Sequence, residues 1–256
     1  MSRLVREYSG RPATTALLLL AFGVPALGHV SQGRLHDHNF HGWFVYSGDH
    51  PVGGRWGAHL ELQWRRHDFI AQPQQLLLRP AINLRLTERV GFSSGYAYVS
   101  THRYGSYPIP APFPEHRIYQ QVTLRHGSGK VELQHRGRLE QRWIGTRTAP
   151  LSGTIGLDGW RYQNRVRYLL RLGVPLKNPR WYIAVSNEIF LNLPPRHSAA
   201  TFDQNRAFAG LGYKLGKDTR LEAGYLQQSL LQRSGRVLEL NHTIQIGLYS
   251  TLPFRR

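Results

Sequence analysis

The chain has 256 residues, no cysteine, 33 lysines and arginines against 15 aspartates and glutamates, and a formal net charge of +18 at pH 7. With 41% hydrophobic residues and a mean hydropathy of −0.42, it is too polar for a bundle of membrane-spanning helices. Outside the N-terminus no apolar run is long enough for such a helix. Nor does the charge indicate nucleic-acid binding: only Lys130, Lys177, Lys214 and Lys217 are lysines, and most arginines recur at alternate positions instead of clustering.

Residues 1–28 have the layout of a secretory signal. Arg3, Arg6 and Arg11 form a basic start, 16–24 an apolar core, and Pro25-Ala26-Leu27-Gly28 offers small residues at the cleavage positions, so a mature start is expected near His29. Losing those three arginines and Glu7 lowers the net charge from +18 to +16. Residues 29–39 are polar and without period, which predicts a linker, and 40–256 then form one domain.

A short strand is expected over 40–47, followed by a Gly/Pro turn over 48–54. Residues 55–67 alternate cleanly, Trp56, Ala58, Leu60, Leu62 and Trp64 against His59, Glu61, Gln63 and Arg65. The next strands are 74–86, 90–102, 115–126 and 131–144. Then 160–174 alternates Trp160, Tyr162, Asn164, Val166, Tyr168, Leu170 and Leu172 with Arg161, Gln163, Arg165, Arg167, Leu169 and Arg171. Successive strand residues point to opposite faces, so one face is oily and the other carries four arginines. At about 3.3 Å per residue such a strand reaches roughly 40 Å, enough to cross a hydrocarbon layer when tilted by about 45°. Strands at 181–193, 202–215, 219–231 and 236–252 complete the chain.

Short links near 87–89, 127–130, 177–179 and 216–218 alternate with longer ones at 103–114, 145–158, 194–201 and 232–235. That is the pattern of periplasmic turns and extracellular loops in an outer-membrane barrel. The fold expected is therefore all-β, an antiparallel transmembrane barrel of 10–12 strands. Eleven segments are counted, and since single-chain bacterial barrels have even numbers, either ten or twelve is expected. For the hairpin 115–144, a four-residue loop would place Arg125 opposite Glu132, Arg117 opposite Glu140, and Glu115 opposite Arg142.

Alternation assigns Glu61, Arg65, Arg79, Arg85, Glu115, Arg117, Arg125, Glu132, Arg136, Arg138, Glu140, Arg142, Arg161, Arg165, Arg167, Arg171, Glu188, Arg206, Glu222 and Glu239 to the lumen. An Arg–Glu network that fills and stiffens the interior is one reading of this set. A narrow anion-favouring passage is the other, because rings of arginine favour anions.

The H-x-H-x-x-H run of His36, His38 and His41 is a weak candidate for metal binding. No other cofactor signature is present. His135, Asn164, Ser229 and His242 share the outward set, which makes a Ser-His-Asn lipid-modifying site conceivable. Cross-strand pairing is expected to hold Ser229 and His242 apart, there is no G-x-S-x-G, and no catalytic residue is assigned. Trp43, Trp56, Trp64, Trp143, Trp160 and Trp181 lie mostly near strand ends, as interfacial belts require.

Several blocks are similar to a bacterial family known as domain of unknown function 2490: W-G-A-H-L-E-L-Q-W-R-R-H-D-F at 56–69, E-H-R-I-Y-Q-Q at 115–121, R-L-E-Q-R-W at 138–143, N-R-V-R-Y-L-L at 164–170, N-E-I-F-L at 187–191, F-D-Q-N-R at 202–206 and L-N-H at 240–242. The resemblance runs from about Trp43 to the C-terminus. It implies an outer-membrane barrel and supplies no activity, substrate or catalytic residue. Ahead of its last two arginines the chain carries Phe254, the candidate for an assembly signal. The function expected is structural or passive transport, a small anion-leaning pore, with a lipid-modifying enzyme as the alternative. Its expected surroundings are outer-membrane lipid and lipopolysaccharide, its solute a small anion, and it has no nucleic-acid partner.

Overall fold

The computed structural model describes residues 33–128, 130–147, 156–194 and 200–253. The segment 1–28 expected as a secretory signal and Phe254 lie outside the described residues. Eleven strands form one closed barrel: β1 (Leu35–Gly53), β2 (Trp56–His67), β3 (Gln72–Arg85), β4 (Val90–Thr101), β5 (Phe113–Ser128), β6 (Val131–Thr146), β7 (Gly159–Pro175), β8 (Trp181–Asn192), β9 (Phe202–Lys214), β10 (Thr219–Leu231) and β11 (Val237–Ser250).

The count falls within the 10–12 strands expected and matches the eleven segments counted in the sequence; only the narrowing to an even number, ten or twelve, is corrected. Neighbours in sequence pair antiparallel, but β1 meets β11 in parallel, from Leu35 opposite Val237 to Gly48 opposite Ser250. A parallel seam is what allows an odd number of strands to close. It also recruits residues 35–39, expected as linker, into the wall. Their lack of apolar period has a physical cause: Asp37 and Asn39 point inward as buried polar residues, while His36 and His38 are exposed outside. The turn expected over 48–54 is likewise strand as far as Gly53. His50 holds it extended, through Tyr46 (2.9 Å) and the Leu252 carbonyl (2.7 Å).

The β5–β6 hairpin turns more tightly than expected, Ser128 facing Val131, and the register moves by two residues. Arg117 lies opposite Arg142, Glu140 opposite Tyr119, and Arg125 opposite Gln134. Of the three forecast ion pairs only Glu115 with Arg142 forms among the described residues, as a diagonal contact of 2.5 Å. Glu115 also takes Arg117 from its own strand (2.7 Å), which neutralises the like charges placed side by side.

The strand ends joined by the short links, after β1, β3, β5, β7 and β9, lie at one end of the barrel, and those joined by the links after β2, β4, β6, β8 and β10, most of them longer, at the other. The long-loop end is also where β1 begins, while β11 finishes at the short-turn end. Outside, the wall is apolar: Leu60, Leu62, Leu76, Leu78, Ile82, Ile118, Val122, Ile183, Leu211, Ile246 and Leu248 are all exposed. Tyrosine–histidine pairs share this outer face, Tyr96 with His116 (2.5 Å), Tyr168 with His135 (2.7 Å) and Tyr225 with His242 (2.6 Å).

Candidate functional site: an arginine-lined lumen

The inward faces enclose a cavity of about 1030 Å³. Its lining runs from Asp49, Arg125, Arg220 and Thr251 near the short-turn end to Pro108, Ala111, Arg147 and Ser234 at the long-loop end. Among the described residues fifteen arginines line it against six carboxylates.

One side of the lumen is a bonded network. Arg165 donates to Glu140 from Nε (3.0 Å) and Nη2 (2.5 Å), and to Asp203 from Nη1 (2.7 Å). Arg167 donates to Glu140 from Nη1 (2.7 Å) and to Glu188 from Nη2 (2.8 Å), and Arg136 reaches Glu188 at 2.7 Å. Glu140 is 1% exposed and Glu188 6%. Moving a lone charge to such a place costs several kcal/mol, so these groups are tenable only as a mutually paired set. Arg79 meets Glu61 at 2.7 Å, and Glu222 accepts from Arg171 and from the Tyr182 hydroxyl (2.6 Å).

The other side is aromatic. Trp43, Tyr182, Ala184, Phe208 and Leu226 form a buried cluster, and Trp43 donates its indole N–H to Gln74 (2.8 Å). Trp43 is thus corrected from interfacial belt to lumen, at 2% exposure. It shares the inward face of β1 with Asp37, Asn39 and His41, a phase hidden while the strand was taken to start at residue 40. Trp56, Trp64, Trp160 and Trp181 do lie exposed on the outside.

Fifteen residues that alternation assigned to the lumen line the cavity: Glu61, Arg65, Arg79, Glu115, Arg117, Arg125, Arg136, Arg138, Arg142, Arg161, Arg165, Arg167, Arg171, Glu188 and Arg206. Glu239, assigned to the lumen with them, is the sixteenth. Glu140 and Glu222 are not on its surface, being covered by the guanidinium groups they bind. Arg85 and Glu132 share the inward parity but are exposed at the short-turn rim. Alternation missed Gln74 and Asp203, because bulges re-aim both. The β2–β3 register shifts between Arg65 and Arg66, and the β8–β9 register between Phe190 and Leu191. Arg220 is two residues from Glu222 on the same face and 3.4 Å from it, so its signal was present.

Loop 102–112 bends into the long-loop mouth. Tyr104 donates to Glu239 (2.7 Å), and its ring lies 5.2 Å from His41 and 5.5 Å from His67. Burial, reinforced by the Glu239 carboxylate, holds this phenol well above its ordinary range, so it remains a donor. Ser106 donates its amide N–H to Asp37 (3.4 Å), and Gln232 donates to the Tyr107 carbonyl (2.8 Å).

The histidine run does not converge as expected of a metal site. His41 is buried in the lumen while His36 and His38 are exposed on the opposite face, and no group of three ligating residues could hold a metal among the described residues. The outer-wall residues are also engaged elsewhere. Tyr162 donates to Asn164 (2.7 Å) and Gln227 to the Ser229 hydroxyl (3.2 Å), whereas His242 bonds Tyr225. Ser229 lies opposite Leu240 and Gln227 opposite His242, so Ser229 and His242 are diagonal neighbours, closer than expected but not bonded.

An all-β barrel, closed on itself, with buried arginine–glutamate pairs inside and an apolar outer wall, is the class that this geometry defines. The chain belongs to the family described as protein of unknown function DUF2490, whose sequence pattern matches residues 40–239. It is similar to an uncharacterized protein of Methylorubrum extorquens, 32% identical over 198 residues that cover 74% of this chain and 78% of that relative.

Proposed function

We propose that this chain is a bacterial outer-membrane barrel, exported by the signal at residues 1–28, whose lumen passes small anions. The carrying observation is the inverted polarity of the wall. Arg165 and Arg167 are 2% and 4% exposed inside, while Tyr168, the residue after Arg167, is 46% exposed outside. Such an outer surface is favourable against hydrocarbon, with aromatic residues at the head-group levels. Outer-membrane lipid and lipopolysaccharide would surround it. The excess of arginine over carboxylate around a cavity lined from both mouths favours anions.

In planar bilayers under a salt gradient, the purified protein is expected to conduct with a reversal potential of anionic sign. Cation selectivity, or no conductance, overturns the passage. Orientation has a separate test, made simple by the absence of native cysteine. On intact cells a membrane-impermeant maleimide should label Ser234→Cys in the 232–236 link and not Thr87→Cys in the 86–89 link. The reverse pattern would invert the barrel, and labelling of neither in the outer-membrane fraction would remove the assignment.

A further inference from the structure

The lumen's compensation is uneven. Phe190 has Arg167 at 4.3 Å, Arg165 at 5.2 Å and Arg206 at 4.7 Å from its ring centre; Trp43 has Arg206 at 4.9 Å and Arg65 at 4.0 Å. Guanidinium groups and rings thus alternate in one column across the barrel: Arg167, Phe190, Arg206, Trp43, Arg65. At the Arg167 end, Glu140 and Glu188 supply the counter-charge. At the other end they do not. Among the described residues no carboxylate lies within 4.0 Å of Arg65 or Arg206.

Arg65 is 5% exposed and spends its bonds on neutral amides, Gln63 (2.8 Å from Nε) and Gln75 (2.5 Å from Nη1). Among the described residues Arg206 makes one bond, from Nε to Gln204 (3.2 Å), and neither terminal nitrogen has an acceptor there. The charged groups acting on Arg65 are chiefly Arg206, Arg117, Arg79 and the already paired Glu61. Two cations held on one indole inside a barrel need a counter-ion, and the nearest candidates among the described residues are engaged: Glu188, across from Arg206, bonds Arg136 and Arg167, and Glu61 bonds Arg79. Trp43 fixes both, so the site is pre-organised, and both arginines line the cavity.

We infer that Arg65 and Arg206, held on Trp43, form a binding site for a doubly charged oxyanion, a phosphate group that is either free or borne on a small organic molecule. Two guanidinium groups from different strands suit the spread oxygens and double charge of phosphate better than chloride. The inference rests on the lumen being open to solute, as proposed above, and makes the passage selective instead of generally anionic.

The test uses the full mature chain in detergent micelles at constant ionic strength. Inorganic phosphate and glycerol phosphate are titrated against chloride, with calorimetry and tryptophan fluorescence as readouts. Saturable binding of either compound is expected, the stronger one identifying the source, with Trp43→Phe losing the fluorescence response. Arg65→Gln and Arg206→Gln should each weaken binding about tenfold or more, the worth of one charge-assisted bond. Arg85→Gln at the rim should leave binding unchanged. No saturable binding by the wild-type protein overturns the inference whatever the variants do, and so does an equal loss with Arg85→Gln. If bilayers show anion conductance but phosphate binds no better than chloride, this site fails and the passage stands. If phosphate binds without conductance, the passage fails and the site stands.

Discussion

Replacing Glu140 by alanine is expected to cost about 3–5 kcal/mol of folding stability, the range for breaking a buried ion pair by removing one partner. Glu140 takes Arg165 at 2.5 Å and Arg167 at 2.7 Å, with Arg138 at 3.7 Å, and is 1% exposed. Without it Arg165 keeps Asp203, Arg167 keeps Glu188, and Arg138 keeps only the amide oxygen of Gln121. Urea unfolding in detergent micelles, followed by the β-sheet circular-dichroism signal, measures the change. Glu140→Gln retains one acceptor oxygen and should lose less. A loss below about 1 kcal/mol for the alanine variant, within the range of an exposed pair, would show that water or counter-ions replace the carboxylate and that the network is not what stiffens the lumen.

The second large effect concerns loop 102–112. Its position depends on Tyr104 between His41 and His67, and on Gly105, whose φ of +74° only glycine adopts freely. A Cβ there would stand 2.7 Å from both Asp37 Oδ2 and Asn39 Oδ1. Pro108, Ile109, Pro110 and Ala111 then line the cavity beneath the mouth. Tyr104→Ala combined with a short Gly/Ser bridge in place of 105–110 is expected to raise single-channel conductance and solute uptake into vesicles severalfold, with anion preference retained. Unchanged conductance at full folding would mean that the narrowest point lies deeper, at the column of rings and guanidinium groups.

What the sequence made legible is what alternation encodes. The arginines of 161–171 could be assigned a side because their period is uninterrupted and the opposite set is aromatic and aliphatic. The same logic found Glu61, Glu140, Glu188 and Glu222. It failed wherever the backbone breaks the period: Gln74 and Asp203 turn inward at bulges that no residue type announces. The hairpin register missed by two because charge complementarity was sought directly across the strands. The fold satisfies it along diagonals and within a strand, as Glu115 does with Arg142 and Arg117. Tyr104 was out of reach for a different reason. A loop's path into a lumen depends on Glu239 and Asp37, far away in sequence, and neither has a local signature. Trp43 was misplaced because β1 was taken to be too short, and its start is polar on both faces.

The seam between β1 and β11 has a consequence for how the molecule is made. Leu35 meets Val237 and Gly48 meets Ser250, so the first ribbon synthesised finds its second neighbour only when the last is complete. Contacts so remote along the chain are slow to form. Until they form, both flanks carry unmet amide and carbonyl groups that hydrocarbon does not tolerate. In the membrane setting proposed above, assembly would therefore be all-or-none: a product truncated anywhere before residue 237 would be an open sheet with no stable place in a bilayer and would be left to aggregate or be degraded.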